Sequence, residues 1–521
     1  MSAKEMGASP VGGAQATAAA GKVTAVGSGP KGTVGGARAA PLRLRAEGPD
    51  RLLPERLFGF NMVVPYDIPH EDPAMVPAVA SLKPHYLRVP GGTVANYFNW
   101  RSGALEVPDV KEGASNYRRM LVDERMPLSH RLHPNGARME DLKAIADKVG
   151  ADLIIVPNLE TSTIEEQVAW FEDMTSKGIV PHTVEMGNEF YHALLLDAES
   201  LRVWPDYAAS MKRMKAYYDA ISRFLPKGAK VSVQASASRF HNTSRPSEYT
   251  RYQRGWDWDN ALAPEPWFNA VTTHMYATFS APAGRETLKG LPGTYETIYA
   301  AMLARTEDGF TRNIRFLEEK LPGREIWVTE WGGGDHAALF DGYDIKFDGA
   351  WLNMTARGML TLLRHPSVTI TTYHALFFAG SLSSMFRRNA GAYQPITAAS
   401  LLAWFHEASR GPGMRYVPVT ADGVRRIEAR TTNPGEGFTD VAGGLFRKGD
   451  AATLILQNAW MEPRSVSVDG LMDGRVPSRI EVMGADDLKI SFQDKLPPVE
   501  EIAARAVVEV PAHTVLKAVW E

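Results

Sequence analysis

A chain of 521 residues, 44% hydrophobic and 22% charged, is long enough for more than one domain and can bury a large core. Its net charge of −3 and pI near 6.5 supply no electrostatic footprint for nucleic acid or a membrane surface. The lack of cysteine excludes disulfides, thiolate metal sites and cysteine nucleophiles, and no run reaches the roughly 18 apolar residues that a membrane span needs.

Residues 1–40 are mostly Gly, Ala, Ser, Thr and Val, a composition too poor in large side chains to order itself, so a disordered tail is expected. The stretch lacks the continuous apolar segment of an ordinary secretory signal, which leaves the cytoplasm and the periplasm of a bacterium both open. Residues 41–54 begin with Leu42-Arg43-Leu44-Arg45, an alternation that reads as a half-buried strand. It falls outside the repeat that follows and is expected to join a C-terminal β domain.

From residue 55 to 410, strand-like runs alternate with helical ones. The predicted strands are 57–62, 86–89, 153–157, 183–186, 230–234, 271–275, 326–329 and 369–374. Ile164, Val168, Phe171 and Met174 form an apolar stripe at helical spacing, with a capping-box pattern at Ser162-x-x-Glu165. Tyr207, Met211, Met214 and Tyr218 form a second stripe, and Phe310, Ile314, Leu317 and Leu321 a third. Eight β/α repeats predict an α/β fold, a (β/α)8 TIM barrel, with a doubly wound open sheet as the alternative. After Gly411-Pro412-Gly413 the helical stripes stop. Short alternating runs at 416–420, 426–431, 453–458, 465–468, 479–483, 489–492, 506–510 and 514–520 predict an all-β sandwich over residues 411–521.

Functional groups of a barrel gather at the C-terminal ends of its strands. Those ends carry Asn61, Arg88, Asn158, Asn188, Glu189, Gln234, His274, Tyr276, Glu330, Trp331, Tyr373 and His374. Glu189 after the fourth strand and Glu330 after the seventh face each other across the predicted barrel. Two convergent carboxylates suit glycosidic bond hydrolysis, in which one group gives a proton and the other attacks. Repulsion between them separates their pKa values and so divides the labour. His130 with His133, and Asp335 with His336, lack a third convincing metal ligand, so no metal and no cofactor is expected. Trp256-Asp257-Trp258-Asp259 reads equally as a sugar platform and as packing.

Gly187-Asn188-Glu189 and Thr329-Glu330-Trp331 resemble the two catalytic segments of the retaining glycoside hydrolases of clan A, and Thr273-His274-Met275-Tyr276 is similar to that clan's strand-six motif. Leu87-Arg88-Val89-Pro90-Gly91-Gly92-Thr93 and Ile154-Ile155-Val156-Pro157-Asn158 resemble family 51 α-L-arabinofuranosidases. Val184-Glu185-Met186-Gly187-Asn188-Glu189 also resembles the family 79 β-glucuronidase and heparanase group. The resemblance implies Glu189 as acid/base and Glu330 as nucleophile. Arg88 and Tyr276 would hold Glu330, and Asn188 would meet the sugar 2-hydroxyl. Asn61, Asn158 and His274 would be further substrate contacts, and Trp331 and Tyr373 read equally as such contacts and as packing at the barrel rim. Family 51 usually has Asn where Thr93 stands, and Met-Asp where Phe190-Tyr191 stand, so the sugar stays open. The implied partner is an oligosaccharide or polysaccharide, with a homo-oligomer left open. A non-catalytic carbohydrate-binding protein on the same fold and a metal-dependent barrel hydrolase are the competing classes.

Overall fold

The computed structural model describes residues 40–64, 70–108, 116–191, 203–204, 206–237, 255–277, 295–333, 339–340, 343–344, 348–377, 385–389, 392–396, 398–429, 435–485, 487–492 and 495–521. Eight parallel strands close into a barrel. They are β1 (Phe58–Asn61), β2 (Tyr86–Val89), β3 (Asp152–Ile155), β4 (Thr183–Met186), β5 (Lys230–Gln234), β6 (Ala270–Ala277), β7 (Glu325–Gly333) and β8 (Val368–Tyr373). Most of their residues are buried, as expected of strands covered on both faces, with polar side chains such as Arg88, Glu185 and Glu330 set among apolar ones. Tyr86, Ile154, Ala270, Trp327 and Ile370 form one apolar cluster contributed by five of these strands. Side chains alternate along a strand, so Arg88 stands on the same face as Tyr86, one layer nearer the C-terminal end.

The helices follow their apolar stripes. Ile164–Ser176 buries Trp170, Phe171 and Met174. Its first turn is capped one residue later than the sequence pattern suggested: the Thr163 side chain accepts from the Glu166 backbone N–H, whereas Ser162 accepts from the side chain of Gln167. Helix Gly349–Leu363 is buried along its whole length, with Asp348 accepting from the backbone of Ala350 and Trp351. An all-round buried helix lies between two layers, here the barrel and the β domain.

Ten strands form the mixed sheet of that β domain. Leu42–Ala46 pairs antiparallel with Arg415–Ala421 and parallel with Arg464–Ser467. The sheet curls around its own core: Val466, Val508 and Val510 from one end share a cluster with Leu454, Leu456 and Leu516 from the other. Ile455 and Val515, which alternate with those residues, turn to the opposite face and join the barrel's cluster. The run Leu454-Ile455-Leu456 is continuously apolar because it serves two cores.

Two local readings are corrected. Residues 489–492 form no strand. Leu488 and Phe492 are buried, with Leu488 accepting from Gly349 N–H and the Tyr295 hydroxyl, while Ser491 makes only an isolated bridge to Asp348. Conversely, Val441–Lys448 is a full strand between Arg415–Ala421 and Ala451–Asn458 that the sequence reading did not pick out. Gly443 and Gly444 hide it from a propensity scale. A Cβ at Gly444 would lie 2.4 Å from the Tyr416 ring, so close strand packing requires the glycine.

Candidate active site

At the C-terminal ends of the strands a charged cluster is assembled around one guanidinium. Arg88, at 0% exposure, projects from β2. Its Nε and Nη2 donate to Glu185 of β4 at 2.8 and 2.6 Å. Its Nη1 donates to Asn61 Oδ1 at 2.6 Å and to Glu330 Oε1 at 2.8 Å, and Nη2 also donates to Asn188 Oδ1 at 2.7 Å. All five guanidinium N–H groups are thereby used. Arg88 binds the site together and keeps no N–H free for a ligand.

Glu330 receives a second donor, the Tyr276 hydroxyl, at 2.6 Å from Oε2. Burial alone would push the Glu330 carboxyl up. The charges of His274, His374 and Arg88 and the Tyr276 hydrogen bond outweigh it and hold Glu330 well below the usual carboxylate range. His274 Nδ1 lies 2.7 Å from Glu189 Oε1 and 3.5 Å from Glu330 Oε2. Burial lowers the imidazole, but the two carboxylates overcome this and raise it above its ordinary value. His374 is pulled below its ordinary value by burial, which Glu330 only partly offsets. A register shift between Thr273 and His274 sets His274 opposite Glu330. Irregularities of this kind re-aim side chains beside active sites.

Glu189 follows β4 through a tight turn. Gly187 has φ +77, and a Cβ there would stand 2.0 Å from the Phe190 ring. Phe190 folds back over that glycine and stacks on Trp204 with centroids 4.0 Å apart. The turn leaves Glu189 at φ +51, a left-handed conformation that a non-glycine residue adopts only when its surroundings hold it there. Asn188 is clamped from both sides. Its N–H donates to Asn96 Oδ1, its carbonyl accepts from Asn96 Nδ2, and its side-chain oxygen accepts from Arg88. That fixes the amide's orientation. Its Nδ2, buried, has no acceptor among the described residues.

The structure therefore brings Arg88, Asn61, Asn188, Glu189, His274, Tyr276 and Glu330 together. Asn61 is enclosed: its Nδ2 donates to Thr329 O and Thr372 Oγ1 while its oxygen accepts from Arg88. Asn158 organises its own loop, donating to Phe98 O and Thr161 Oγ1 and accepting from the N–H groups of Glu160 and Thr161. Trp331 and Tyr373 pack edge to face, both at 1% exposure, and Tyr373 accepts from Trp351 Nε1. Trp258 is buried and donates to Gln234 O, while Trp256 packs under Lys320 and beside Phe316. His133 stacks on His70. Asp335 and His336 lie outside the described residues.

Glu185 and Asn96 were not among the expected site residues, and Gln234 was expected at a strand end without a role. A carboxylate inside the apolar run Thr183-Val184-Glu185-Met186 was the signal for Glu185; nothing in the sequence marks Asn96. One carboxylate oxygen from each of Glu189 and Glu330 and a ring nitrogen of His274 lie within 4.8 Å of one another. Two carboxylates and an imidazole are a plausible donor set for a metal ion. The Arg88 guanidinium against Glu330 opposes a cation there. Chemically, the same arrangement offers an ionised carboxylate, a neighbouring carboxyl linked to an imidazole, and an unpaired N–H donor.

No family model matches the chain, and no curated protein does. Solved structures do match. The family 51 arabinofuranosidase of Xanthomonas axonopodis pv. citri superposes with a TM-score of 0.64 at 14% identity, over 92% of this chain and 100% of that one. The family 51 α-L-arabinofuranosidase of Bifidobacterium longum gives 0.65 at 14%, over 93% and 100%. A 4-O-α-L-rhamnosyl-β-D-glucuronidase from Fusarium oxysporum 12S gives 0.55 at 12%, over 92% and 100%. The chain thus shares the barrel-and-β-domain fold of clan A glycoside hydrolases and resembles family 51 in architecture.

Proposed function

We propose that this protein is a retaining glycoside hydrolase that cleaves a glycosidic bond by double displacement. Glu330 is the nucleophile that attacks the anomeric carbon and forms a glycosyl-enzyme intermediate. Glu189 gives its proton to the leaving oxygen and then takes one from the water that hydrolyses the intermediate. Tyr276 and Arg88 keep Glu330 ionised and oriented. Asn188 Nδ2 donates to the sugar 2-hydroxyl, which accounts for a buried N–H with no acceptor among the described residues.

The observation that carries this reading is the approach of Glu189 and Glu330, with an oxygen of each within 4.8 Å. Retaining enzymes hold their carboxyl groups about 5–5.5 Å apart, whereas inverting ones leave about 6.5–9.5 Å for a water. An α-L-arabinofuranoside is the favoured substrate, by likeness to the Xanthomonas and Bifidobacterium enzymes. A β-glucuronoside is the second reading, favoured by the Fusarium neighbour. Arg88 would not serve as the uronate's ion partner, because its N–H groups are all engaged. Such a carboxylate would need another cation.

A panel of nitrophenyl glycosides, with the anomer of the first product followed by NMR, tests the proposal. Wild type should turn over one furanoside or uronide with retention. Glu330→Ala should lose at least about 10⁴-fold in kcat. Unchanged turnover in that variant would overturn the mechanism, and an inverted first product would overturn the double displacement.

A further inference from the structure

We infer that Glu185, the carboxylate buried within β4, is a positioning residue that works through Arg88 to orient Glu330 and Asn188 and to set the charge they act in. The inference rests on the reading of Glu189 and Glu330 given above. Glu185 is 0% exposed and lies between Val184 and Met186, which are buried among apolar side chains. Burying a carboxylate costs several kcal/mol unless it is paired and fully hydrogen-bonded. Here it is both. Oε2 accepts from Arg88 Nε, and Oε1 accepts from Arg88 Nη2 and Gln234 Nε2.

The consequence is geometric first. A two-point fork between guanidinium and carboxylate fixes the plane of the guanidinium. With that plane fixed, the remaining N–H groups of Arg88 point at Asn61, Glu330 and Asn188. Gln234 Nε2 also donates to Gly187 O, so the same support reaches the turn before Glu189. Glu330 on β7 and Asn188 after β4 are thus indexed to one buried carboxylate on β4.

The second consequence is electrostatic. Gln234 from β5 and Glu330 from β7 are hydrogen-bonded to this carboxylate and its guanidinium, His274 from β6 and His374 after β8 feel the Arg88 charge, and Tyr276 and Glu189 join through Glu330 and His274. Glu185 offsets the Arg88 charge. Without it the guanidinium would act on Glu330 uncompensated, favouring a tighter, less reactive carboxylate and earlier loss of the proton from Glu189.

The test is Glu185→Gln, which keeps size and removes charge, assayed as kcat/KM against pH on whichever glycoside wild type cleaves. Both limbs should move to lower pH by about half to one unit. kcat should fall about 10–100-fold with little change in KM. A purely structural role would lower the amplitude and leave the limbs in place, and that result overturns the inference. Glu185→Asp retains the charge and shortens the reach. It should lose rate on unshifted limbs; limbs that shift would overturn the inference, and this variant decides if the Gln variant does not fold. Glu189→Ala and Glu330→Ala are assayed alongside. If those two stay active, the catalytic reading fails and the inference falls with it. If they are inactive while Glu185→Gln keeps its limbs, only the inference fails.

Discussion

Arg88 and Arg357 are both almost fully buried, and both donate to side chains drawn from several elements. Arg357, on helix Gly349–Leu363, joins the barrel to the β domain. It donates to Gln457, to Glu307, and to the hydroxyl and carbonyl of Thr439. Gln457 in turn donates to Asn353, whose amide reaches Gly349 O and His513 O. Nearby, Glu436 is held by Arg305 and Arg312, and Asp308 by Arg426. Charges of opposite sign alternate, and the donors and acceptors of Gln457 and Asn353 close on one another. Around Arg88 the balance is different. Two carboxylates share the guanidinium, a third meets the same imidazole, and Asn188 Nδ2 is left over. A closed network holds structure together, whereas one that converges like charges and leaves a donor unspent is prepared for a ligand.

That contrast can be broken by mutation. Arg88→Gln leaves Glu185 buried without a cation and takes the guanidinium from Glu330, and kcat/KM should fall about 10³-fold. Arg357→Met should instead act on stability, by about 3 kcal/mol in denaturant unfolding, with kcat/KM within about threefold of wild type. If Arg357→Met abolished activity without loss of stability, the two arginines would not divide as described. Gly187→Ala forces a Cβ into the Phe190 ring and displaces Glu189; kcat should drop about 100-fold while the fold persists.

His274→Asn probes the sign of the site's charge. His274 is held above its ordinary value by the two carboxylates, so as an imidazolium it favours both of them ionised. Removing it should raise both, moving both limbs of the pH profile up by about one unit, opposite in direction to Glu185→Gln. The smallest effect is expected on the outside of the barrel. Lys215→Ala breaks an exposed pair with Asp219 in helix Tyr207–Ile221, and unfolding free energy should change by no more than about 0.5 kcal/mol.

The barrel was legible because its strands carry a signal that survives without context: eight β-rich runs, three of them leading into a helix with a clear apolar stripe. The convergence of Glu189 and Glu330 was legible because carboxylates after the fourth and seventh strands of a closed barrel face each other across it, although either one alone would read as a surface residue. Val441–Lys448 was not, since Gly444 is explained only by the ring of Tyr416 and Gly443 only by Leu456 on the neighbouring strand. Residues 489–492 looked like a strand because burial against the barrel and burial in a sheet leave the same alternation. Glu185 was overlooked within its own motif. Its meaning depends on Arg88, 97 residues away, and sequence order does not display which donor faces which acceptor. For the same reason Asn61 and Asn158 looked available for a sugar, although both are spent on neighbouring backbone and side chains.

The strand Leu42–Ala46 also constrains how the molecule is made. Arg45 bonds to Asp422, 377 positions later. At about 5–20 residues per second, this segment leaves the ribosome some tens of seconds before its partners exist, and the entire barrel is synthesised in between. During that wait it is an unpaired edge. Its arginines at 43 and 45 are the charged gatekeepers that discourage such an edge from pairing with another chain. Leu44, buried at 1% in the finished sheet, is the one large apolar side chain those charges flank until its strand docks.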